Sequence, residues 1–177
     1  MEYFLLKESK DVINPIKILG LDPKLYVPAM THTDFRAIEK VSVAYIQYEH
    51  QQEIPDILAH PTYMVSDELR KILHMYDENI SFKAVQVFPD QKKYIKEAAK
   101  TYWIYDCVME NCLHPDTVIL PNGTMEQIIL DKRKIRGRDI FRLQRTLENK
   151  MVVSLAVVES ILRRNLYGIG IEKLSMR

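Results

Sequence analysis

The sequence predicts a single α+β domain in which two amphipathic helices pack on a mostly antiparallel or mixed sheet. Short runs of β-branched and aromatic residues, which are typical of strands, outnumber the helical patterns. The two helical patterns lie at about residues 66–76 and 155–165, and each has one apolar stripe. Helices and strands do not alternate regularly, as they would in a doubly wound sheet, so α+β is the class we expect.

Length and composition fit a globular domain that needs no disulfide or metal staple in order to fold. The chain has 177 residues, of which 47% are hydrophobic and 28% are charged, and this balance argues against disorder. We expect one domain over residues 1–177, with 1–60 as a candidate N-terminal lobe and 61–177 as a better-defined part. The formal net charge is only +1, which removes the usual signature of a nucleic-acid or anionic-membrane binder.

Nothing in the sequence predicts export or insertion into a membrane. No run approaches 18 consecutive apolar residues, and residues 1–8 are too few and too acidic for a secretory signal. The two thiols, Cys107 and Cys112, are too few for a disulfide framework or a typical structural zinc site. We therefore expect a cytoplasmic protein with two reduced, partly buried cysteines.

The rest of the pattern predicts short strands separated by turns. Prolines interrupt residues 8–40, which we expect to be irregular apart from a short strand near 16–19. The turn signal Pro-Asn-Gly-Thr at 121–124 predicts a hairpin between 118–120 and 127–130. Residues 49–61 read as a loop or a short turn, and 91–100 as a loop or a helical turn. The other expected strands are 3–6, 41–48, 63–65, 80–88, 101–108, 140–143 and 169–174.

Two stretches of the chain follow the same order of elements. Each runs from a short strand into a serine that can cap a helix, Ser66 or Ser154, and then into a second strand. The stretches 66–88 and 154–174 share few identities beyond the Val-Ser start. They are either an internal duplication or two copies of a common supersecondary unit, and we favour the second because such units are frequent.

Known catalytic motifs are missing from the sequence. It has no phosphate-binding glycine loop, no Gly-x-Ser-x-Gly elbow and no His-Glu-x-x-His helix. The nearest approach to a reactive cluster is Asp106, Cys107, Cys112 and His114, whose spacing fits no zinc pattern. We therefore expect no catalytic residue, no metal and no cofactor. A small enzyme or ligand-binding domain built on these four residues is the alternative.

A basic run and an aromatic strand are the features that could bind a partner. Residues 132–138 carry five basic side chains, which could grip phosphates or an acidic protein surface, although a solvated loop is the simpler interpretation. A nucleic-acid-binding module using this run is a further alternative. Trp103 and Tyr105 share one face of their strand and Tyr102 points the other way. Exposed, the first two would be binding anchors; otherwise they belong to the core.

Several short motifs, in their order and spacing over residues 60–174, resemble a known family. They are YMVSDEL at 63–69, YWIYDC at 102–107, LD at 130–131, DIFRL at 139–143, VVS at 152–154 and GI at 168–169. In these motifs the chain resembles a bacterial family of immunity proteins from polymorphic toxin systems, long catalogued as a domain of unknown function. The first 60 residues match only through their apolar start. One departure is Leu155-Ala156, which follows Ser154 where an acidic first turn would be expected.

The resemblance implies a cytoplasmic antidote that binds a cognate protein toxin and blocks its active site or access to it, with no reaction of its own. On this interpretation the partner is neither a nucleic acid nor a membrane, and the oligomeric state stays open, a homodimer being one alternative. Asp139 could equally cap or brace its loop, with Phe141 in the core. The expected partner-binding residues are Trp103, Tyr105, Arg133, Arg136, Arg138 and, if exposed, Asp139 and Arg142.

Overall fold

The computed structural model describes the chain except for residues 27–29, 48–51, 91–99, 136, 145 and 147–148. The described residues form a sheet-dominated α+β fold with mixed and antiparallel sheets, which confirms the predicted class. The strands are β1 (Tyr3–Glu8), β2 (Ile18–Leu19), β3 (Val41–Ile46), β4 (Ile57–Leu58), β5 (Met64–Ser66), β6 (Ser81–Pro89), β7 (Lys100–Asp106), β8 (Met109–Glu110), β9 (Val118–Ile119), β10 (Met125–Gln127), β11 (Ile129–Leu130), β12 (Ile140–Leu143), β13 (Met151–Ser154), β14 (Ile169–Lys173) and β15 (Ser175–Met176). The helices are α1 (His32–Ala37), α2 (Asp67–Tyr76) and α3 (Leu155–Leu162), with a 3-10 helix at Pro23–Leu25.

Two large sheets organise the fold. The first has the order β2-β3-β6-β7-β5-β4, and the second has the order β14-β1-β13-β12-β8. Among the described strands of the first sheet, only β3 and β6 are parallel neighbours. In the second sheet β12 and β8 are parallel and the other pairs are antiparallel. Two short pairs, β9 with β10 and β11 with β15, lie beside them.

The two sheets repeat one arrangement of strands and helices. The order β6-β7-β5-β4 corresponds to β14-β1-β13-β12, and α2 joins β5 to β6 as α3 joins β13 to β14. The register also corresponds, because Ser66 lies opposite Tyr102 and Ser154 lies opposite Tyr3. The likeness of the two stretches therefore extends from their helices to the register of the neighbouring strands.

The equivalence of the two halves extends to one more strand in each, which runs parallel to the strand that follows the helix. In the first sheet β3 runs parallel to β6, with Val43 opposite Gln86. In the second half β15 continues from β14, and β11 runs parallel to it with Ile129 opposite Ser175. Trp103 and Phe4 occupy equivalent positions in the two halves. The residues opposite them on β6 and β14 lie the same number of residues before Gln86 and Ser175, so the two parallel pairs fall at the same position. Val43 and Ile129 are therefore equivalent residues of the two halves.

Residues 1–60 do not form the separate lobe that the sequence suggested. Strand β1 lies inside the second sheet, between β14 and β13, whereas β2, β3 and β4 belong to the first sheet. The apolar start of the chain drives this placement, because Leu5 and Leu6 point to opposite faces of the sheet and both are buried. The N-terminal segment therefore completes both halves of the molecule.

Three apolar clusters form the core. The central cluster is shared by both sheets and both longer helices, and includes Leu69 and Ile72 of α2 with Val157 and Ile161 of α3. A second cluster covers the other face of the first sheet, beneath the 3-10 helix and α1. A third covers the other face of the second sheet. The second sheet is therefore packed on both faces, whereas the first sheet is packed on one face by the second cluster and on only part of its other face by the central cluster.

Local signals explain where the helices begin. Ser66 precedes α2, and its hydroxyl accepts a hydrogen bond from the backbone N–H of Leu69 at 3.2 Å, as a capping serine should. Thr31 and Asp34 form a reciprocal capping box at the start of α1. This short helix lies in the stretch 8–40 that the sequence predicted to be irregular. The capping box is the sequence signal for this helix, but the surrounding prolines led to the prediction of irregular chain.

Several predicted boundaries change in the structure. The second helix ends at Leu162, not near 165, and Ser154 makes no side-chain cap there. The predicted loop 49–61 contains β4, which pairs with β5. The hairpin around 121–124 is confirmed, but its second strand is β10, because β11 pairs with the C-terminal strand. Most of 91–100 lies outside the described residues, and within the described part no helix is long and apolar enough to cross a membrane.

Candidate protein-binding surface

One face of the first sheet changes from buried to exposed along a single row of paired residues. The row runs Ile57, Val65, Trp103, Ala84 and Val41, from β4 across to β3. Ile57 and Val65 are fully buried, Trp103 and Ala84 are half-buried, and Val41 is 52% exposed. Helix α2 packs on β5 and β7. A helix is about 10 Å wide and strands lie about 4.8 Å apart, so one helix covers roughly two strands.

The uncovered part of this face is the candidate binding surface, which we call the open face. Tyr45 and Val43 are each 47% exposed and Leu19 is 46% exposed. The alternate residues of β3, Ala44 and Ile46, are buried in the second cluster, as expected for a strand whose side chains alternate between faces. None of the nine members of the open face is charged. They are Leu19, Val41, Val43, Tyr45, Ala84, Gln86, Phe88, Thr101 and Trp103.

Trp103, predicted to contact a partner, lies at the margin of the open face. Its Nε1–H donates to Oδ1 of Asp67 at 3.1 Å, and the guanidinium of Arg70 lies 4.5 Å from its ring centre. Arg70 in turn donates to Asp67 at 3.0 Å. Partial burial raises the pKa of Asp67, but hydrogen bonds from Lys71 and Arg70 outweigh it and hold the pKa below its ordinary value. The indole is therefore fixed in position, with Arg70 over one part of it.

Two predicted contact residues are corrected because they are buried. Tyr105 has no exposed surface and belongs to the central cluster, where its hydroxyl donates to the backbone oxygen of Asn149 at 3.3 Å. Tyr105 does share a face of β7 with Trp103, as predicted, but at Tyr105 that face is covered by the central cluster. Arg142 is also buried, so the condition attached to it, exposure, is not met. Neither side chain can contact a partner without leaving the core.

Arg142 instead joins three separate segments of the chain. Its guanidinium donates to the backbone oxygen of Met30 at 2.8 Å and to Oδ1 of Asn149 at 2.7 Å. It also forms an ion pair with Asp106 at the end of β7. The other oxygen of Asp106 lies 2.6 Å from Nδ1 of His32, at the start of α1. Loss of such a buried, multiply paired cation would leave its partners uncompensated, which is strongly destabilising.

The predicted basic run is largely paired within the molecule. Arg133 and Lys134 both lie against Asp131, at 3.2 and 3.6 Å, and Arg138 donates to Glu110 at 2.7 Å. The side-chain hydrogen bond from Arg133 lowers the pKa of Asp131 to about 2. Arg136 lies outside the described residues. Arg133 and Arg138 remain solvent-exposed, but their charges are partly neutralised by these carboxylates.

Asp139 braces its loop, the alternative that the sequence also allowed. The hydroxyl of Ser154 donates to its Oδ1 at 2.5 Å, and the backbone N–H of Ser154 donates to its backbone oxygen at 2.8 Å. Phe141 is buried in the third cluster, as that alternative expected. The serine hydroxyl is thereby committed to Asp139, which explains why it does not cap α3.

The structure does not bring the four residues of the alternative reactive cluster together. Cys107 is in the central core cluster and Cys112 is in the third cluster, on the other face of the second sheet. Burial raises the pKa of Cys107 to about 12 and that of Cys112 to about 11, so both thiols stay protonated near neutral pH. His114 lies 3.6 Å from Asp116 and Asp106 faces Arg142. Within the described ranges no group of three metal-ligating side chains converges.

Sequence reasoning missed the open face, although β3 carried a signal for it. Five of its six residues are apolar or aromatic, so the strand is apolar on both faces. Such strands are normally buried on both sides, and a half-uncovered one is unusual. A second exposed apolar group, which the sequence also missed, lies on the β9–β10 hairpin at Val118, Ile119 and Leu120.

Comparisons with known proteins add no family to this description. No protein-family model matches the chain, and a search of curated proteins finds no relative. The geometry of the surface and the resemblance in the short motifs are therefore the grounds on which function is proposed.

Proposed function

We propose that this chain is a non-catalytic immunity protein, which binds a cognate toxin domain in the bacterial cytoplasm and blocks its active site or access to it. The observation that carries the proposal is the open face, where Leu19, Val41, Val43 and Tyr45 are about half exposed side by side. Contiguous exposed apolar surface of this kind marks sites of association with other proteins. The short-motif resemblance supplies the kind of partner.

Charge supports a protein partner over a nucleic acid. The open face carries no cation that could hold a phosphate, and nucleic-acid affinity depends on such contacts. Among the described residues of the basic run, Arg133, Lys134 and Arg138 already face carboxylates of Asp131 and Glu110. A module that used this run to bind nucleic acid would have to compete with those pairs.

The arrangement of the thiols weighs against the small-enzyme alternative in the form that the sequence suggested. That form needs Asp106, Cys107, Cys112 and His114 to meet in one concave site. The two cysteines instead lie in different core clusters with protonated thiols. A nucleophilic cysteine requires a thiolate and an accessible position.

Co-expression tests the proposal directly. The chain is expressed in a bacterial host together with the product of a toxin-like gene adjacent to its own, and growth and complex formation are both measured. We expect rescue of growth and co-elution of the two proteins in size-exclusion chromatography. A toxin domain from an unrelated pair is the control and should not be neutralised. Failure to rescue growth, together with no complex between the purified proteins, would overturn the proposal.

A further inference from the structure

We infer that the open face is the docking surface for the toxin, and that the toxin covers it with an uncharged, apolar surface of its own. The inference rests on the proposed function and adds to it the location and chemistry of the interface. It follows from a comparison of the two halves of the molecule and from the distribution of charge around the face.

In the second half of the molecule, the position equivalent to Val43 is buried. Ile129, the counterpart of Val43, is only 3% exposed, whereas Val43 is 47% exposed. The same sheet position is thus buried within the chain in one half and exposed to solvent in the other.

The charge distribution defines what can cover the open face. All nine positions of the face are uncharged, and Arg70, which lies over Trp103 at its margin, is already paired with Asp67. Interfaces typically combine a core depleted in charge with a polar rim. An acidic or basic partner surface would lose its hydration here and find no counter-charge, which is costly. An uncharged surface that is apolar apart from hydrogen-bonding groups for Gln86 and Thr101 is therefore complementary.

The aromatic members give this surface its expected energetic centre. Tyr45 stands between Leu19 and Phe88 in one row, and Val43 stands between it and Val41 along β3. Aromatic residues surrounded by apolar neighbours are enriched among the residues that dominate binding energy. Lys83, in contrast, points to the other face of the sheet, where its ammonium lies 5.0 Å from the ring of Phe35. It does not interrupt the face.

A pair of charge-introducing variants tests the inference. Val43→Glu places a carboxylate at the centre of the open face, and Ile119→Glu places one at an equally exposed apolar position, 50% exposed, on the β9–β10 hairpin. Both sites are on the surface, so both variants should keep the wild-type denaturation midpoint. Binding is titrated with the purified, catalytically inactivated product of the adjacent toxin-like gene.

The expected results separate the inference from the proposed function. Val43→Glu should weaken binding by about 100-fold or more, because a carboxylate is buried without a partner, whereas Ile119→Glu should change it by less than about threefold. Raising NaCl from about 0.05 to 0.5 M should also change the affinity by less than about threefold. If Val43→Glu binds as tightly as wild type, the location is wrong and the function stands. If wild type forms no complex, both fail.

A second copy of the chain is the alternative occupant of the open face, and the same variants detect it. Sedimentation of the chain alone should give a monomer mass for wild type and for Val43→Glu at equal concentrations. A wild-type dimer that Val43→Glu dissociates would show that a second copy covers the open face, and would overturn the assignment to a toxin.

Discussion

Tyr3 and Tyr102 occupy equivalent positions in the two halves of the molecule, although 98 residues separate them in the chain. Each lies on the strand inserted between the two parallel strands of its unit, opposite the serine that precedes a helix. The inserted strand of the first half, β7, follows β6, whereas that of the second half, β1, comes from the start of the chain. The second half is therefore complete only when the two ends of the chain have met.

Removal of residues 1–8 should consequently unfold the second half. Strand β1 buries Tyr3, Leu5 and Leu6, each worth about 2 kcal/mol, and its loss also leaves β13 and β14 without their shared neighbour. Because whole domains are stable by only about 5–15 kcal/mol, we expect no cooperative unfolding transition in circular dichroism. Addition of a synthetic peptide of residues 1–12 should restore it. A truncated chain that unfolds at the wild-type midpoint would contradict this account.

The ion pair between Arg142 and Asp106 predicts a large loss of stability when one partner is removed. Arg142→Met leaves the Asp106 carboxylate without its buried counter-ion, and such changes cost about 3–5 kcal/mol. Urea denaturation measures the free energy of unfolding. Arg138→Met is the control, because the exposed pair of Arg138 with Glu110 should contribute less than about 1 kcal/mol. Equal losses for the two variants would show that burial of Arg142 is not what makes its pair important.

The two cysteines should be unreactive in the folded protein. Burial raises the pKa of Cys107 to about 12 and of Cys112 to about 11, so at pH 8 almost no thiolate is present. We expect a disulfide reagent that releases a coloured thiolate to label neither residue in native protein within minutes, and to label two thiols in 8 M urea. The variant Cys112→Ala should release one equivalent in urea. Rapid native labelling of either thiol would indicate an accessible, reactive cysteine.

Asp131 should make stability depend on pH in the acid range. Its pKa is lowered from 3.8 to about 2, chiefly by the side-chain hydrogen bond from Arg133. A carboxyl group with a depressed folded-state pKa contributes stability that is present above its unfolded pKa of about 3.9 and is lost as pH falls toward the folded value. Urea midpoints should therefore fall between about pH 4 and pH 2. In Asp131→Asn the urea midpoint should fall less over this range. If it falls as steeply as in the wild type, Asp131 is not the group responsible.

The fold could be predicted from the sequence wherever a local pattern coincides with burial. Strands such as β3, β6, β7 and β12 and helix α2 follow from β-branched runs and from an apolar stripe behind a capping serine. The placement of β1 could not be predicted, because nothing in an apolar run of six residues identifies its distant neighbours, β13 and β14. Pairing between the ends of a chain is decided by tertiary packing.

The candidate site was harder to predict than the fold, for a related reason. An aromatic residue on a strand is equally compatible with a core position and with an exposed one, and only the helix above it decides. Trp103 and Tyr105 share a face, yet Tyr105 lies fully under cover while Trp103 lies at the edge. The open face is defined by which strands α2 covers, and that is a property of packing between distant elements, not of the residues of β3.

The two serines that looked alike in the sequence should respond differently to the same substitution. Ser66→Ala removes the hydroxyl that accepts the N–H of Leu69, and loss of an N-cap costs about 1 kcal/mol. Ser154→Ala removes no cap, but it deprives the half-buried Asp139 of a 2.5 Å hydrogen bond, and bonds to a charged group are worth about 1.5–3 kcal/mol. The double variant Ser154→Ala/Asp139→Ala separates the two causes, because removal of both partners should recover part of the loss. If Ser154→Ala were as mild as Ser66→Ala and insensitive to Asp139, its hydroxyl would be acting as an ordinary cap after all.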